Sequence, residues 1–238
     1  MSFHMSHTHR DTPLGVLYDL LVPDHDEEPW ELCLHFRDYP LETLPPYVNE
    51  ASLQDSLRNS LKEASVITSG SATQVISMVS GAHEDLWKAV VRSDVATLKR
   101  IFNSIQLNVS SHEGASHNIT QLPVRLYIRV LTKSGSEGAE DKDYLSSYES
   151  IYRTSRPLPT HNPEDGSPHT LRSVLSPLLV QHLARKDDDT QGSCVWNHIR
   201  HLWVGGTRPP DDATLKNLFE EFHCADYFLY IVMHVQRD

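Results

Sequence analysis

Fifteen histidines, three cysteines and two runs of carboxylates are the side chains from which this chain would assemble catalytic or metal-binding chemistry. HEDLW opens at His83 in the manner of a zinc hydrolase helix, where two histidines four residues apart hold the metal from one face. Four residues beyond His83 stands Trp87, so the second ligand is missing. His198 and His201 have a spacing that would share a metal on a helix, but their segment reads as a strand, which would point them to opposite faces. His4, His7 and His9 belong to a polar start, MSFHMSHTHR, that reads as a tail without function. No metal site is expected.

Cys33, Cys194 and Cys224 are too few and too scattered for a disulfide framework or a paired-cysteine zinc site, and reduced cytosolic thiols are the simplest reading. A thiol nucleophile needs a base beside it, and only the fold can bring His198 or His223 to Cys194 or Cys224. A thiol hydrolase therefore stays open as a minor alternative. Gly205-Gly206 is followed by Thr207, Arg208 and Pro209 and lacks the Lys-Ser/Thr of a phosphate loop, so it reads as a turn. DHDEE and KDDD lie in polar connections with no apolar pocket to split their pKa values, and read as solvated loops. The expectation is a protein without a catalytic site or a cofactor.

The 238 residues, 39% of them hydrophobic, suffice for one large domain or two modest ones with real cores. The 21 Lys and Arg against 32 Asp and Glu leave a formal charge of -11, which repels phosphate backbones and anionic lipid head groups. Nucleic-acid and direct membrane binding are not expected. No apolar run reaches the roughly 18 residues of a spanning helix, and the start lacks the apolar region of a secretion signal.

The elements that must position any functional group follow from periodicity. Thr12 as a helix cap and Pro13 in the first turn predict a short helix with Leu14, Leu17, Tyr18 and Leu21 on its inner face. Leu32, Leu34 and Phe36 alternate as in a half-buried strand. From Asn49 the period becomes helical, with Leu53, Leu57, Leu61 and Ala64 on one stripe. The helical pattern pauses at TSGSA and resumes through Val75, Ile76 and Val79, then Trp87, Val90, Val91, Leu98, Ile101, Phe102 and Ile105. NVSSHEGASHN reads as a linker. Beyond it come a strand with Leu122, Val124, Leu126, Ile128 and Val130 facing inward, a strand from Tyr148 to Arg156, and a helix from His169 to Leu183 that Pro177 should kink or shorten. A strand from Cys194 to Val204, a helix through Leu215, Leu218, Phe219 and Phe222 capped by Asp211 or Asp212, and a strand from Tyr227 to Val235 complete the chain. This ββαβ(α)β order fits a ubiquitin-like grasp with its first and last strands paired at the centre.

PLGVLYDLL, PWELCLHFRDYP, SLRNSLKEAS, HEDLW and VRLYIRVL, followed by YRTSRPL, PEDGSPHTLRSVL and DYFLYIVMHV, resemble the autophagy protein 5 family from about residue 13 to the end. The resemblance implies an α+β fold in which two ubiquitin-like (β-grasp) domains flank a helix-rich domain. It places a disordered start at residues 1–12, a truncated first ubiquitin-like domain at 13–48, the helix-rich domain at 49–106, a linker at 107–118 and the second ubiquitin-like domain at 119–238. Family members carry some tens of residues ahead of the PLGVLYDLL helix, which is why the first domain is expected to be truncated. SGSEGAEDKDYLSS is an insertion expected to form a loop.

The family's acceptor lysine, which forms an isopeptide bond with the C-terminal glycine of the modifier autophagy protein 12, matches Lys62 within SLKEAS. On a helix whose stripe is Leu53, Leu57, Leu61 and Ala64, Lys62 is expected on the opposite, exposed side, beside Arg58 and near Asp55. The resemblance further implies a coiled-coil partner, autophagy protein 16, in an E3-like complex that works with the conjugating enzyme of the autophagy protein 8 pathway and promotes lipidation of that modifier. The implied location is the cytoplasm, with peripheral recruitment to the preautophagosomal membrane through the complex. A ubiquitin-like adaptor that is never conjugated is the main alternative.

Overall fold

The computed structural model describes residues 12–22, 49–105, 107, 119–132, 148–183 and 196–237. The start at 1–10, the expected strand with Leu32, Leu34 and Phe36, the insertion, Cys33 and Cys194 lie outside the described residues.

The chain's sheet forms around two long strands, β1 (Gln121–Thr132) and β4 (Leu229–Arg237), which pair in parallel with Arg125 opposite Tyr230. β2 (Tyr148–Pro159) lies antiparallel to β1, and β3 (Ile199–Val204) antiparallel to β4, giving the order β2-β1-β4-β3. The grasp expected from the alternating pattern is present, with its first and last strands at the centre. The third strand is shorter than its pattern suggested, because Trp196–His198 form a 3-10 turn, and β4 starts at Leu229 because Tyr227 takes a left-handed backbone with φ 63°.

The strand β1 alternates in sequence but is covered on both sides. Leu122 to Leu131 are buried on both faces. The even residues join Leu171, Val174, Leu175 and Leu179 of α6 (Leu171–Leu183) in the apolar core. The odd residues Arg125, Tyr127 and Arg129 are covered by two helices from earlier in the chain. α1 (Leu14–Leu21) supplies the Leu20 carbonyl to Arg129 Nη1 at 3.0 Å and the Asp19 carbonyl to His234 Nε2 at 2.9 Å. α2 (Glu50–Ser69) supplies Ser60 Oγ to Arg125 Nη2 at 2.9 Å. The charged residues of the alternation thus find hydrogen-bond partners inside the protein, as a buried charge requires.

That docking corrects the first helix. Its inner face is Val16, Leu17 and Leu20 with Asp19, while Leu14 is exposed and Tyr18 and Leu21 are half-buried. Thr12 does not cap it; its hydroxyl meets the Tyr127 hydroxyl at 2.9 Å under the sheet.

α2 is capped at both ends. Asn49 Oδ1 accepts from the Ser52 N–H at 2.9 Å, and the helix stops at Gly70, whose φ of 76° is the left-handed conformation of a helix end. α3 (Thr73–Ile76), α4 (Ser80–Val91) and α5 (Val95–Ser104) follow. They bury Val75, Leu86, Ala89, Ile101 and Phe102, with Leu107 beyond them equally buried. Leu53, Ile76, Val79 and Val91, read as inward-facing, are exposed. The helices share one core with the sheet, where Phe102 meets Tyr227 edge-to-face at 5.1 Å.

Pro177 stands inside α6 without ending it. It lies on the exposed side of the helix, where its ring meets no core side chain that it would displace. α7 (Leu215–Phe222) is capped by Thr214 and not by the aspartates, since Asp211 Oδ2 accepts instead from Trp196 Nε1 at 3.0 Å.

Candidate functional site

α2 brings Lys62 to the surface in an unexpected way. The inner face of the helix is Leu61, Ala64 and Ser65, with Leu57 packed against it, and Leu53 is 40% exposed. The true stripe is rotated from the one read in the sequence, and Lys62 lies on its flank, half-buried, three residues before buried Ser65. The expectation of a fully exposed opposite side is thereby corrected. Its Nζ donates to Asn59 Oδ1 at 3.3 Å, one turn back. Arg58 stands beside it as expected and is paired with Asp55 at 2.9 Å.

Lys62 opens onto a depression of about 370 Å³ lined by Arg58, Val75, Ile76, Met78, Ser80 and His83. Val75 forms its apolar floor, and Ile76, with 66% of its surface exposed, forms a lip, beside which Val79 is 73% exposed. The wall is α4, whose His83 ring faces the α2 cations. Burial, and then the charges of Arg58 and Lys62, hold the His83 imidazole below its ordinary value of 6.5, so it is neutral at pH 7. α4 is tied to the start of α2 by Trp87 Nε1, which donates to Glu50 Oε1 at 2.6 Å.

Beneath this helix turn lies a polar network that sequence reading missed. Arg125 Nη1 donates to Asp226 Oδ2 at 2.8 Å and to the Tyr230 hydroxyl at 2.7 Å, and Tyr230 donates in turn to Asp226 Oδ2 at 2.7 Å. The other arm of the guanidinium reaches Ser60 and Glu63, the residues on either side of the Leu61-Lys62 pair. Its carbon sits 4.0 Å from the centre of the Phe228 ring. Burial pushes the Asp226 carboxyl up, opposed by Arg125, the Tyr230 hydroxyl and the Phe228 N–H, which all donate to it. The available signal was Arg125 and Arg129 recurring at a spacing of four in an otherwise apolar strand.

The thiol alternative finds no support at Cys224. Burial pushes its thiol up to about 12, which keeps it protonated at neutral pH and removes the nucleophile. His223, next to it, is committed to the core: its ring stacks on Phe219 at 5.1 Å, and its Nδ1 lies 2.9 Å from the Phe219 carbonyl oxygen. His198 falls in the 3-10 turn and His201 in β3. Among the described residues no three His, Cys, Asp or Glu side chains gather as metal ligands. Gly205 and Gly206 form the turn expected of them, with φ of 57° and 77°, closed by paired bonds between Val204 and Thr207. Their use is structural, since the Gly206 N–H donates to Asp19 Oδ2 at 3.1 Å and so fastens α1.

Known proteins resemble this chain. Residues 50–108 match the family described as "Autophagy protein ATG5, alpha-helical bundle region", and residues 121–233 the one described as "Autophagy protein ATG5, UblB domain". The "Autophagy protein 5" of Arabidopsis thaliana is 30% identical, over 94% of this chain and 75% of the relative. That of Oryza sativa subsp. indica is 34% identical over 73% of this chain, which spans half of the rice protein's length. The crystal structure of Kluyveromyces marxianus Atg5 superposes with a TM-score of 0.57 at 20% identity, covering 93% of this chain and 67% of the yeast chain. At that identity the likeness speaks for the fold.

Proposed function

The chain belongs to the autophagy protein 5 family and has its role in autophagy, and on that premise we propose that it is a non-enzymatic scaffold whose Lys62 accepts the modifier autophagy protein 12 through an isopeptide bond. With the coiled-coil autophagy protein 16, the conjugate forms an E3-like complex. That complex works with the conjugating enzyme of the autophagy protein 8 pathway to promote lipidation of autophagy protein 8, in the cytoplasm and at the preautophagosomal membrane. The parts are a ubiquitin-like unit from residue 13, a helix-rich unit at 49–106, a linker to 118 and a second ubiquitin-like unit.

One observation carries the reading. Lys62 stands on the turn of α2 that Ser60 and Glu63 tie to Arg125, half-buried, with its amine given a long bond to neutral Asn59, at the mouth of a depression open to an incoming thioester. Acyl transfer needs an amine held in place but not sequestered in a salt bridge, and among the described residues no ion pair holds Lys62. The thioester and its activation come from the conjugating enzyme, so the chain itself needs no nucleophilic thiol.

The test is reconstitution with the modifier, its activating and conjugating enzymes and ATP, comparing wild type with Lys62→Arg on a denaturing gel. A slower band lost in the variant is the expected result. A band that survives in the variant would move the acceptor to another lysine, and no band in either would favour the unconjugated adaptor.

A further inference from the structure

Isopeptide formation requires the attacking nitrogen to shed a proton as the bond to carbon forms, so something near Lys62 must accept it. The residues around the depression are Arg58, Lys62, Val75, Ile76, Met78, Ser80 and His83. Arg58 is permanently protonated, the Ser80 hydroxyl is no base at neutral pH, and the others are apolar. Among the described residues, His83 is the one lining group able to take a proton there. Its ring also borders the neighbouring cleft of Gln54, Leu57, Leu86 and Trp87, which fixes it between α2 and α4. Three carboxylates close by in sequence are otherwise engaged: Asp55 holds Arg58, Glu63 reaches Arg125 at 3.4 Å, and Glu84, next to His83, holds Lys88 at 2.7 Å.

We propose that His83 is the proton acceptor for acyl transfer to Lys62, so that this chain supplies the base for its own modification. The inference rests on Lys62 being the acceptor. In the step, the neutral Lys62 amine attacks the thioester carbonyl carbon and the N–C bond forms. The nitrogen's proton passes to the His83 imidazole. The C–S bond then breaks, its electron pair leaving with sulfur as thiolate, and the imidazolium returns the proton to that thiolate or to solvent. No oxidant, reductant or further reactant is needed. The neutral imidazole that this requires is the form the surrounding cations already favour.

Two assays on the full chain separate this proposal from the one it rests on. The first is single-turnover transfer of the modifier from its preformed thioester carrier to wild type, Lys62→Arg, His83→Ala and His83→Gln. Loss of a general base should slow transfer about 100-fold in both His83 variants. Added imidazole should restore much of the rate to His83→Ala, whose side chain leaves room for it, and little to His83→Gln. The second assay measures acetylation of Lys62 by a small thioester, S-acetyl mercaptoethanesulfonate, by peptide mass spectrometry with Lys88 as the internal reference. The same imidazole-rescuable loss at Lys62, with Lys88 unchanged, is expected. His83→Ala conjugating within twofold of wild type, or slowed but insensitive to imidazole, overturns the proposal. Conjugation that persists in Lys62→Arg overturns the acceptor assignment and this inference with it.

Discussion

Glu63, the residue after Lys62, reaches down from α2 to Arg125 on β1, its Oε2 3.4 Å from Nη2. Through this guanidinium the candidate acceptor turn is joined to Asp226, 101 residues further along than Arg125, and so to the head of the last strand.

Arg125→Met should therefore destabilise the whole protein. It leaves the Asp226 carboxylate buried beside Tyr230 without its cation, and breaking one side of a buried pair costs about 3–5 kcal/mol. Urea denaturation should show that loss, while Glu63→Gln, at a half-exposed end of the network, should cost less than about 1 kcal/mol. Equal midpoints for the two variants would refute the ranking.

The glycine turn offers a matched pair. Both glycines have left-handed backbones, but a Cβ on Gly205 would stand 2.7 Å from Phe222 Cδ1, whereas one on Gly206 would meet nothing within 4 Å. Gly206→Ala should cost about 1–2 kcal/mol from the backbone alone. Gly205→Ala should cost more, because the Phe222 ring must also move, and the difference in thermal midpoint measures that displacement.

His223 makes stability depend on pH. Burial holds its imidazole below the ordinary value of 6.5, despite the Phe219 carbonyl and Asp226, which favour the cation. The fold binds this proton more weakly than the unfolded chain, so the contribution is complete above pH 6.5 and declines as pH falls below it towards the folded value. Melting scans between pH 7.5 and pH 5 should show a decline that His223→Phe reduces; an identical slope in the variant would remove His223 as the cause.

Cys224 should resist alkylation in the native protein, because its thiol, pushed up to about 12, presents almost no thiolate at pH 8. Iodoacetamide followed by mass spectrometry should find the Cys224 peptide unmodified until denaturant is added. Rapid native labelling would contradict the burial.

The sheet was legible because the alternation in VRLYIRVL and the short apolar run YFLYIVMHV are both marks of strands, and the order of elements left few ways to pair them. Helix faces were less legible. Leu53 and Leu14 satisfy the helical period yet lie exposed, since which stripe turns inward depends on partners such as Arg125 and Arg129 that lie far away in the chain. No local pattern reveals that Thr12 serves Tyr127 instead of its own helix, or that Asp211 prefers Trp196 to capping α7. Lys62 was legible only through SLKEAS as a family resemblance. Its neighbours in space, Ile76 and His83, come from α3 and α4, and their meeting depends on the turn at Gly70.

The bond from His234 to the Asp19 carbonyl spans 215 positions, and that separation sets a clock on biogenesis. At about 5–20 residues per second, α1 leaves the ribosome on the order of ten to forty seconds before the strand that covers it exists. Throughout that interval Val16, Leu17 and Leu20 have no native shelter, and β1 likewise awaits its parallel partner. A chain interrupted before β4 would thus leave α1 without the strand it packs on, so that loss of one end of the described fold exposes the other.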